Sequence, residues 1–290
     1  MISMNKTTFR QHLAHYKKHP GSLVLFLLVC LSAVLTVGVL LVLVGYILIR
    51  GIPNLTPSLF ALEYNSENVS MLPAIINTVT MTLLSLLFAV PIGVCSAIYL
   101  VEYAKRGNRL VAVIRVTAET LSGIPSIVYG LFGYLIFVIA CGFSYSMLSG
   151  ALTLSIMILP TIMRTTEEAL KSVPDSYREG SFGLGAGRLR TVFKIVLPSA
   201  MPGILSGVIL AIGRIVGETA ALIYTSGTVA GIPSSLLASG RTLSVHMYAL
   251  LSEGLYTEQA YATAVILLLM VLLINGLSRL VASKLSSKEA

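Results

Sequence analysis

"TLSGIPSIVYGLFGYLIFVIACGFSYSMLSGALTLSIMILPTIM", residues 120–163, runs for 44 residues without a charged side chain. A helix needs about 20 apolar residues to cross roughly 30 Å of hydrocarbon. The run is therefore long enough for two crossings, with Gly142 where the chain must turn. It predicts spans over about 124–141 and 147–163. Working outward, apolar stretches of the same length lie at Leu23–Ile49, Pro73–Leu100, Ser199–Thr225 and Gln259–Ser278. The expected fold is all-α: a polytopic membrane protein with six transmembrane helices. Pro91, Pro125 and Pro160 are placed to bend helices. Residues 109–120 read as a short amphipathic helix at the interface.

Composition agrees. Of 290 residues, 56% are hydrophobic and 11% charged, and mean hydropathy is +0.88; soluble domains carry about 25% charged residues. The basic leader before the first span resembles a secretory signal, but the run is too long and lacks a small-residue cleavage site. It is expected to stay as an anchor. The cysteines, Cys30, Cys95 and Cys141, each sit in an apolar stretch without ligand spacing and read as small buried hydrophobes.

A net charge of +8 suggests nucleic acid only if it is gathered on a solvated face. Here it alternates with the spans. With the N-terminus in the cytoplasm, the inner segments hold Lys6, Arg10, Lys17 and Lys18; Lys105, Arg106, Arg109 and Arg115; Arg164, Lys171, Arg178, Arg188, Arg190 and Lys194; and Arg279, Lys284 and Lys288. Outside are only Arg50 and Arg241, and Arg214 lies within a span. This asymmetry places both termini inside.

The longest inner loop contains "YREGSFGLGAGRLRTVFKIVLP", residues 177–198. Its alternating Gly183, Gly185 and Gly187 lack the Gly-Lys-Ser/Thr ending and the preceding strand of a phosphate-binding P-loop. A docking helix fits better. Pro174 and Asp175 suit a helix start, and Gly185 or Gly187 can end it in the left-handed conformation. Gly180, Ser181 and Gly183 leave its surface open to a close partner. Leu189, Val192, Phe193 and Val196 then mark one apolar face of a second helix that leads to Pro198.

This loop resembles that of the permeases of binding-protein-dependent ABC importers, whose pattern is E-A-A, three residues, G, nine residues, I-x-L-P. Here Glu179-Gly180-Ser181, Gly185 and Ile195-Val196-Leu197-Pro198 keep both spacings, with small residues replacing both alanines. The resemblance implies a type I importer (MetI-like) fold over 71–283 and a coupling loop at 164–198. The remaining expected segments are 1–70, with the first span, and a tail at 284–290. It also implies an ATPase-docking helix containing Pro174, Asp175, Tyr177, Arg178, Glu179, Gly180, Ser181 and Gly185. "AIGRIVGETAALIYTSG", residues 211–227, and "RTLSVHMYALLSEG", residues 241–254, resemble phosphate-importer permeases of the PstA type. The implied partners are a PstC-type second permease, a PstB-type ATPase dimer that holds ATP and magnesium, and an external PstS-type phosphate-binding protein. The implied setting is the bacterial cell membrane (the inner one in a Gram-negative cell). No cofactor is expected in this chain.

The residues of span five give an independent reason for an anion path. A cation at membrane depth costs at least about 2.5 kcal/mol and should face protein, water or a partner. Arg214 is such a cation. In one continuous helix Glu218 shares its face. Arginine's fork suits phosphate oxygens, Glu218 can accept a phosphate hydroxyl, and Thr219 and Thr225 add hydroxyls. Gly213 and Gly217 would let helices approach. The alternative is an internal Arg214–Glu218 ion pair. Arg164 with Glu167, and Arg115 with Glu119, read as similar pairs at the inner membrane face; the first is a further candidate for the path.

His12, His15 and His19 share a helical face, either as part of a solvated basic helix or as metal ligands. His246 reads as an exposed histidine of the outer loop, and Glu63, Glu67, Glu253 and Glu258 as solvated acids. No nucleophile–base or metal-ligand constellation stands out, so the chain is expected to be a transporter subunit and not an enzyme. A secondary carrier would need a coupling-ion site, commonly at broken helices in paired repeats; one intramembrane charge pair and no duplicated half argue against it. A scaffold without transport is the third possibility.

Overall fold

The structure is a computed structural model that describes residues 20–105 and 107–286. The histidine cluster at residues 12–19, Arg106 and the last four residues of the 284–290 tail lie outside the described residues. Those described are all helical or irregular, without a strand. Contacts divide the chain into two units, Met1–Arg50 and Gly51–Ala290.

Helix α1, Pro20–Gly51, supplies the first unit. Leucine and valine cover its whole circumference, as suits a helix in lipid.

The second unit begins at Gly51, upstream of the expected boundary at residue 71. The short turns Ile52–Asn54 and Pro57–Phe60 explain this. Leu59 and Met71 pack with Ala74, Leu243 and Ala262 in one buried cluster, so the segment belongs to the bundle. There follow α2 (Leu72–Ile98, wound on by a π turn to Tyr103), α3 (Arg109–Ser122), α4 (Ser126–Gly133, wound on to Ala140) and α5 (Met147–Ser172). Next come α6 (Asp175–Gly183), α7 (Arg188–Thr191), α8 (Leu197–Val216), α9 (Ala220–Thr225), α10 (Leu243–Glu253) and α11 (Thr257–Ser286).

Five stretches are long and apolar enough to cross a membrane: Gly21–Asn54, Leu72–Tyr103, Met147–Ser172, Arg188–Val216 and Thr257–Leu280. The sixth candidate is α3 with α4, bent by 104°. The span expected over about 124–141 is met by Ser126–Ala140, and the short helix expected over 109–120 by α3. From Ser126 to Ala140 the helix rises only about 22 Å, and Gly123 and Pro125 break it from α3. Pro91 and Pro160 instead lie inside α2 and α5.

Helix α5 is the central post. Leu154, Met157 and Ile158 are fully buried between α2, α4 and α8 in one cluster, and Leu170 joins Val173, Val192 and Val196 in a second. Its first amide groups are satisfied from outside the helix: Met147 and Leu148 donate to the carbonyls of Ala238 and Leu236. Those carbonyls belong to the loop after α9, which therefore caps the post. Asn77 Nδ2 of α2 holds the same loop by donating to the Gly231 and Arg241 carbonyls at 3.0 and 3.1 Å. Two glycines set the spacing of the bundle. A Cβ on Gly130 would lie 2.8 Å from the Ala221 backbone, and one on Gly207 would collide with Thr165.

Cys95 and Cys141 are exposed and Cys30 is half-buried, which corrects the buried-hydrophobe reading. Each lies on an outward face of an apolar helix or its end, where a small apolar side chain is equally at home.

Candidate functional site

Two regions carry the candidate residues: a break in span five and the arm between α5 and α8.

The break lies at Gly217–Thr219. Helix α8 ends at Val216 and α9 begins at Ala220, with Thr219 at φ −124° and ψ −53°. Arg214 and Glu218 therefore do not share one continuous helical face, and among the described residues they form no ion pair. Glu218, 8% exposed, turns to the second helix: its Oε1 accepts the Ala221 N–H at 3.0 Å. Its carbonyl accepts the Ser244 hydroxyl of α10. The carboxylate thus caps α9, favoured by the positive end of that helix. Sequence reasoning missed the cap because Gly-Glu-Thr in an apolar run reads as uninterrupted helix.

Arg214 is half-buried, and among the described residues no carboxylate lies within salt-bridge distance of it. It is close enough to Tyr129 of α4 to act on it electrostatically. Thr219 is partly exposed in the break, whereas the Thr225 hydroxyl is buried and donates to the Ala221 carbonyl of its own helix. Thr225 therefore offers no donor to a path. No atom of another element lies within 4 Å of a Cβ on Gly213, and Gly217 would meet only the Gly213 carbonyl. The close helix approach expected there does not occur within this chain; the face stays open. Non-helical backbone at membrane depth is tolerated only in protein or beside water.

The arm begins where α5 ends. Pro174 precedes α6, and Asp175 opens it at its positive end. Gly185, at φ +83°, closes it. Ala186 N–H donates to the Ser181 carbonyl and Gly185 N–H to that of Phe182, the paired bonds of a Schellman stop. Tyr177, Glu179, Gly180 and Phe182 are exposed, and Leu184 is 91% exposed. Phe182 and Leu184 were not singled out from sequence, although both stand inside the quoted motif. Ser181 and Arg178 face inward. Ser181 is buried and shares a 2.8 Å hydrogen bond with Thr191. Arg178, its side chain 14% exposed, donates to Glu102 at 2.7 Å. It donates also to the Leu170 and Val173 carbonyls. Glu102, 76 residues away in sequence, could not be found from local spacing. The expected apolar face of the second helix divides: Val192 and Val196 are buried, Leu189 and Phe193 exposed.

The inner charge pairs are also redistributed. Arg164 meets Glu168 at 3.1 Å and Glu119 at 3.9 Å, while Glu167 receives Arg115 at 2.7 Å and Lys171 at 2.5 Å. The pairs read within α3 and within α5 are thus exchanged between the helices, because α3 packs along α5.

On the far side, Arg241 and His246 are buried, not solvated. Arg241 lies 4.7 Å from the centre of the Tyr64 ring, and the same ring meets His246 edge-on at 6.1 Å. Burial and the neighbouring guanidinium push the His246 imidazole down to about 3. Tyr64, from the segment before α2, packs on both, a tertiary effect invisible in "RTLSVHMY". Glu63, Glu67, Glu253 and Glu258 are exposed as expected. Among the described residues no group of three metal-ligating side chains is gathered.

A chain of the bacterial alginate ABC transporter, in complex with a pentasaccharide-bound periplasmic protein, has the same fold. The TM-score is 0.70 over 93% of this chain and 98% of that one, at 14% identity. A chain of the MetNI methionine ABC transporter in an inward-facing conformation gives 0.57 over 74% and 94%, at 19% identity. These likenesses define the fold, an all-helical MetI-like one. Residues 89–287 match the family described as binding-protein-dependent transport system inner membrane component, and the chain belongs to it. It is a permease subunit of an ABC importer. Among relatives, a probable ABC transporter permease protein YqgI of Bacillus subtilis is 31% identical, covering 89% of this chain and 94% of its own. Phosphate transport system permease protein PstA 2 of Mycobacterium bovis is 33% identical over 94% and 91%, and PstA of Pasteurella multocida is 37% identical over 80% and 83%.

Proposed function

We propose that this permease moves inorganic phosphate inward, as one half of a path completed by a PstC-type permease. A PstB-type ATPase dimer, holding ATP and magnesium, drives it, and a PstS-type protein delivers the anion from outside. Both termini are cytoplasmic in this reading. The observation that carries it is Arg214: a cation at membrane depth, beside a helix break, with no carboxylate among the described residues to neutralise it. Such charges mark ion and substrate routes. The names of the PstA relatives support phosphate over other cargoes.

In the path, the Arg214 fork holds two phosphate oxygens. Thr219 donates a hydroxyl. Glu218 keeps the break in shape through Oε1, and its other oxygen accepts the hydroxyl of a protonated phosphate, a contact that sulfate dianion lacks. Arg164 stands at the inner mouth and, with Glu167 ordering Arg115 and Lys171, gives the leaving anion a positive exit. The ATPase grips the outward residues of α6, namely Pro174, Asp175, Tyr177, Glu179 and Gly180, up to the stop at Gly185. Arg178 and Ser181 transmit the grip to the bundle. ATP binding brings the two arms together and opens the cavity outward; hydrolysis resets it.

The test is uptake by proteoliposomes holding the assembled transporter. Phosphate accumulation should require ATP, resist competition by sulfate, and fall by about tenfold to a hundredfold in Arg214→Ala, the worth of a charge-assisted hydrogen bond. Accumulation driven by a proton or sodium gradient without ATP would instead establish a secondary carrier. An ATP-driven importer that ignores phosphate would leave the family standing and remove the cargo.

A further inference from the structure

Below the arm lies a cavity of about 830 Å³ between the end of α2, the start of α3, and α6 and α7. Six cations line it: Lys105, Arg109, Arg115, Lys171, Arg178 and Arg188. Its own acids are Glu102 and Asp175, and both are taken by Arg178, at 2.7 and 3.3 Å. Glu167, just beyond the lining, serves Arg115 and Lys171 together. Against these three carboxylates, three positive charges stay uncompensated. They belong to Lys105 and Arg109, which have no carboxylate partner among the described residues, and to Arg188, which rests on the Tyr103 ring at 5.6 Å.

These cations come from two bodies. Lys105 and Arg109 lead into α3, whereas Arg188 opens α7 and reaches the cavity over Tyr103. A concave site lined by cations from separate elements suits a compact polyanion better than a single carboxylate. Arginine forks match phosphate oxygens in particular. Exposed Leu110, Val113 and Val116 on α3 put apolar surface next to the cavity, and basic pockets between helices at a membrane face hold lipid head groups.

We infer that this cavity is a binding site for a phosphate-type oxyanion, either a lipid head group or free phosphate, which joins α3 to the coupling arm. Arg214 does not line it, although Arg115 and Lys171 belong also to the proposed exit, and its test does not depend on transport. The occupied site holds Arg109 and Arg188 to one ligand, so the arm moves less freely against α3.

Native mass spectrometry of the full-length chain in its assembled transporter reads the site directly. Phosphatidylglycerol, phosphatidylcholine and inorganic phosphate are the probes. One phosphatidylglycerol retained in preference to phosphatidylcholine identifies a head-group site; saturable inorganic phosphate that persists in Arg214→Ala identifies a free-anion site. Lys105→Gln with Arg109→Gln should weaken either by about 25-fold, since each basic residue near a membrane surface is worth about fivefold. Arg190→Gln with Lys194→Gln removes the same charge outside the cavity lining and should change binding by less than about twofold. Hydrogen exchange at residues 107–112 and 182–190 should slow when the ligand is added to the wild type, and an unchanged pattern without ligand shows that the variants fold. Equal losses in the two double variants would overturn the inference, because diffuse attraction would explain both. So would the absence of any saturable binding to the wild type.

Discussion

Arg178 and Arg214 are both arginines of an oily chain, yet their surroundings are opposite. Arg178 spends its fork on Glu102 and on two carbonyls at the end of α5. Arg214 stands beside a helix break without a carboxylate partner among the described residues. The difference separates a cation that builds the protein from one available to something else. Neither burial nor charge alone distinguishes them; the state of the donors does.

The largest expected effect is on the built side of this comparison. Arg178→Ala leaves Glu102, its side chain 9% exposed, without its partner, and should lower unfolding stability in detergent by about 3 kcal/mol. Arg214→Ala should leave stability within about 1 kcal/mol, because no folded-state partner is orphaned. Equal thermal shifts in the two variants would break the contrast. The opposing effect is on uptake, where Arg214→Ala is the more damaging of the two when folded protein is compared.

Acid offers a second way to sharpen it. The folded His246 pKa is near 3, below the ordinary value of 6.5. The unfolded chain therefore binds more protons between those values. The stability associated with neutral His246 is complete above about pH 6.5 and is lost as pH falls toward 3, by at most about 1.4 kcal/mol per pH unit. Denaturant titrations of wild type and His246→Gln should diverge from pH 6.5 to 4.5, the wild type being the more acid-sensitive. Parallel curves would place the acid response elsewhere.

The smallest effect is at the stop of α6. Gly185→Ala forces an L side chain to φ +83° and should cost about 1 kcal/mol, read as a small thermal shift with a loosened arm. A shift as large as that of Arg178→Ala would mean that the stop, not the ion pair, anchors the arm.

The hydrocarbon thickness made most spans readable, since 44 uncharged residues leave a chain few alternatives. The stop at Gly185 was readable too, because glycine alone suits its backbone without strain. Three features were hidden for a common reason: they are made by residues distant in sequence. Glu102 reaches Arg178 only after α2 winds on past Ile98. Glu167 takes Arg115 because α3 lies along α5. His246 is buried against Tyr64, which comes from the segment before α2. The break at Gly217–Thr219 was hidden for another reason. Its three residues are tolerable in a helix, and it is Ser244 and the Ala221 amide that reward leaving one.

Residues 188–216 form one unbroken helical stretch of 29 residues, on the order of 43 Å long. One end is at the arm and the other at the interrupted segment beside Arg214. Crossing α5 at Gly207, it behaves as a rocker with its fulcrum well inside the bundle. A tilt of a few degrees at the lower tip would swing the upper tip in the opposite sense, with the π turn at Val192–Val196 and Pro202 as the points where the rod can bend. In the proposed cycle, work done on the arm would reach the neighbourhood of the guanidinium as displacement, tying the chemistry of a distant nucleotide to the shape of the opening.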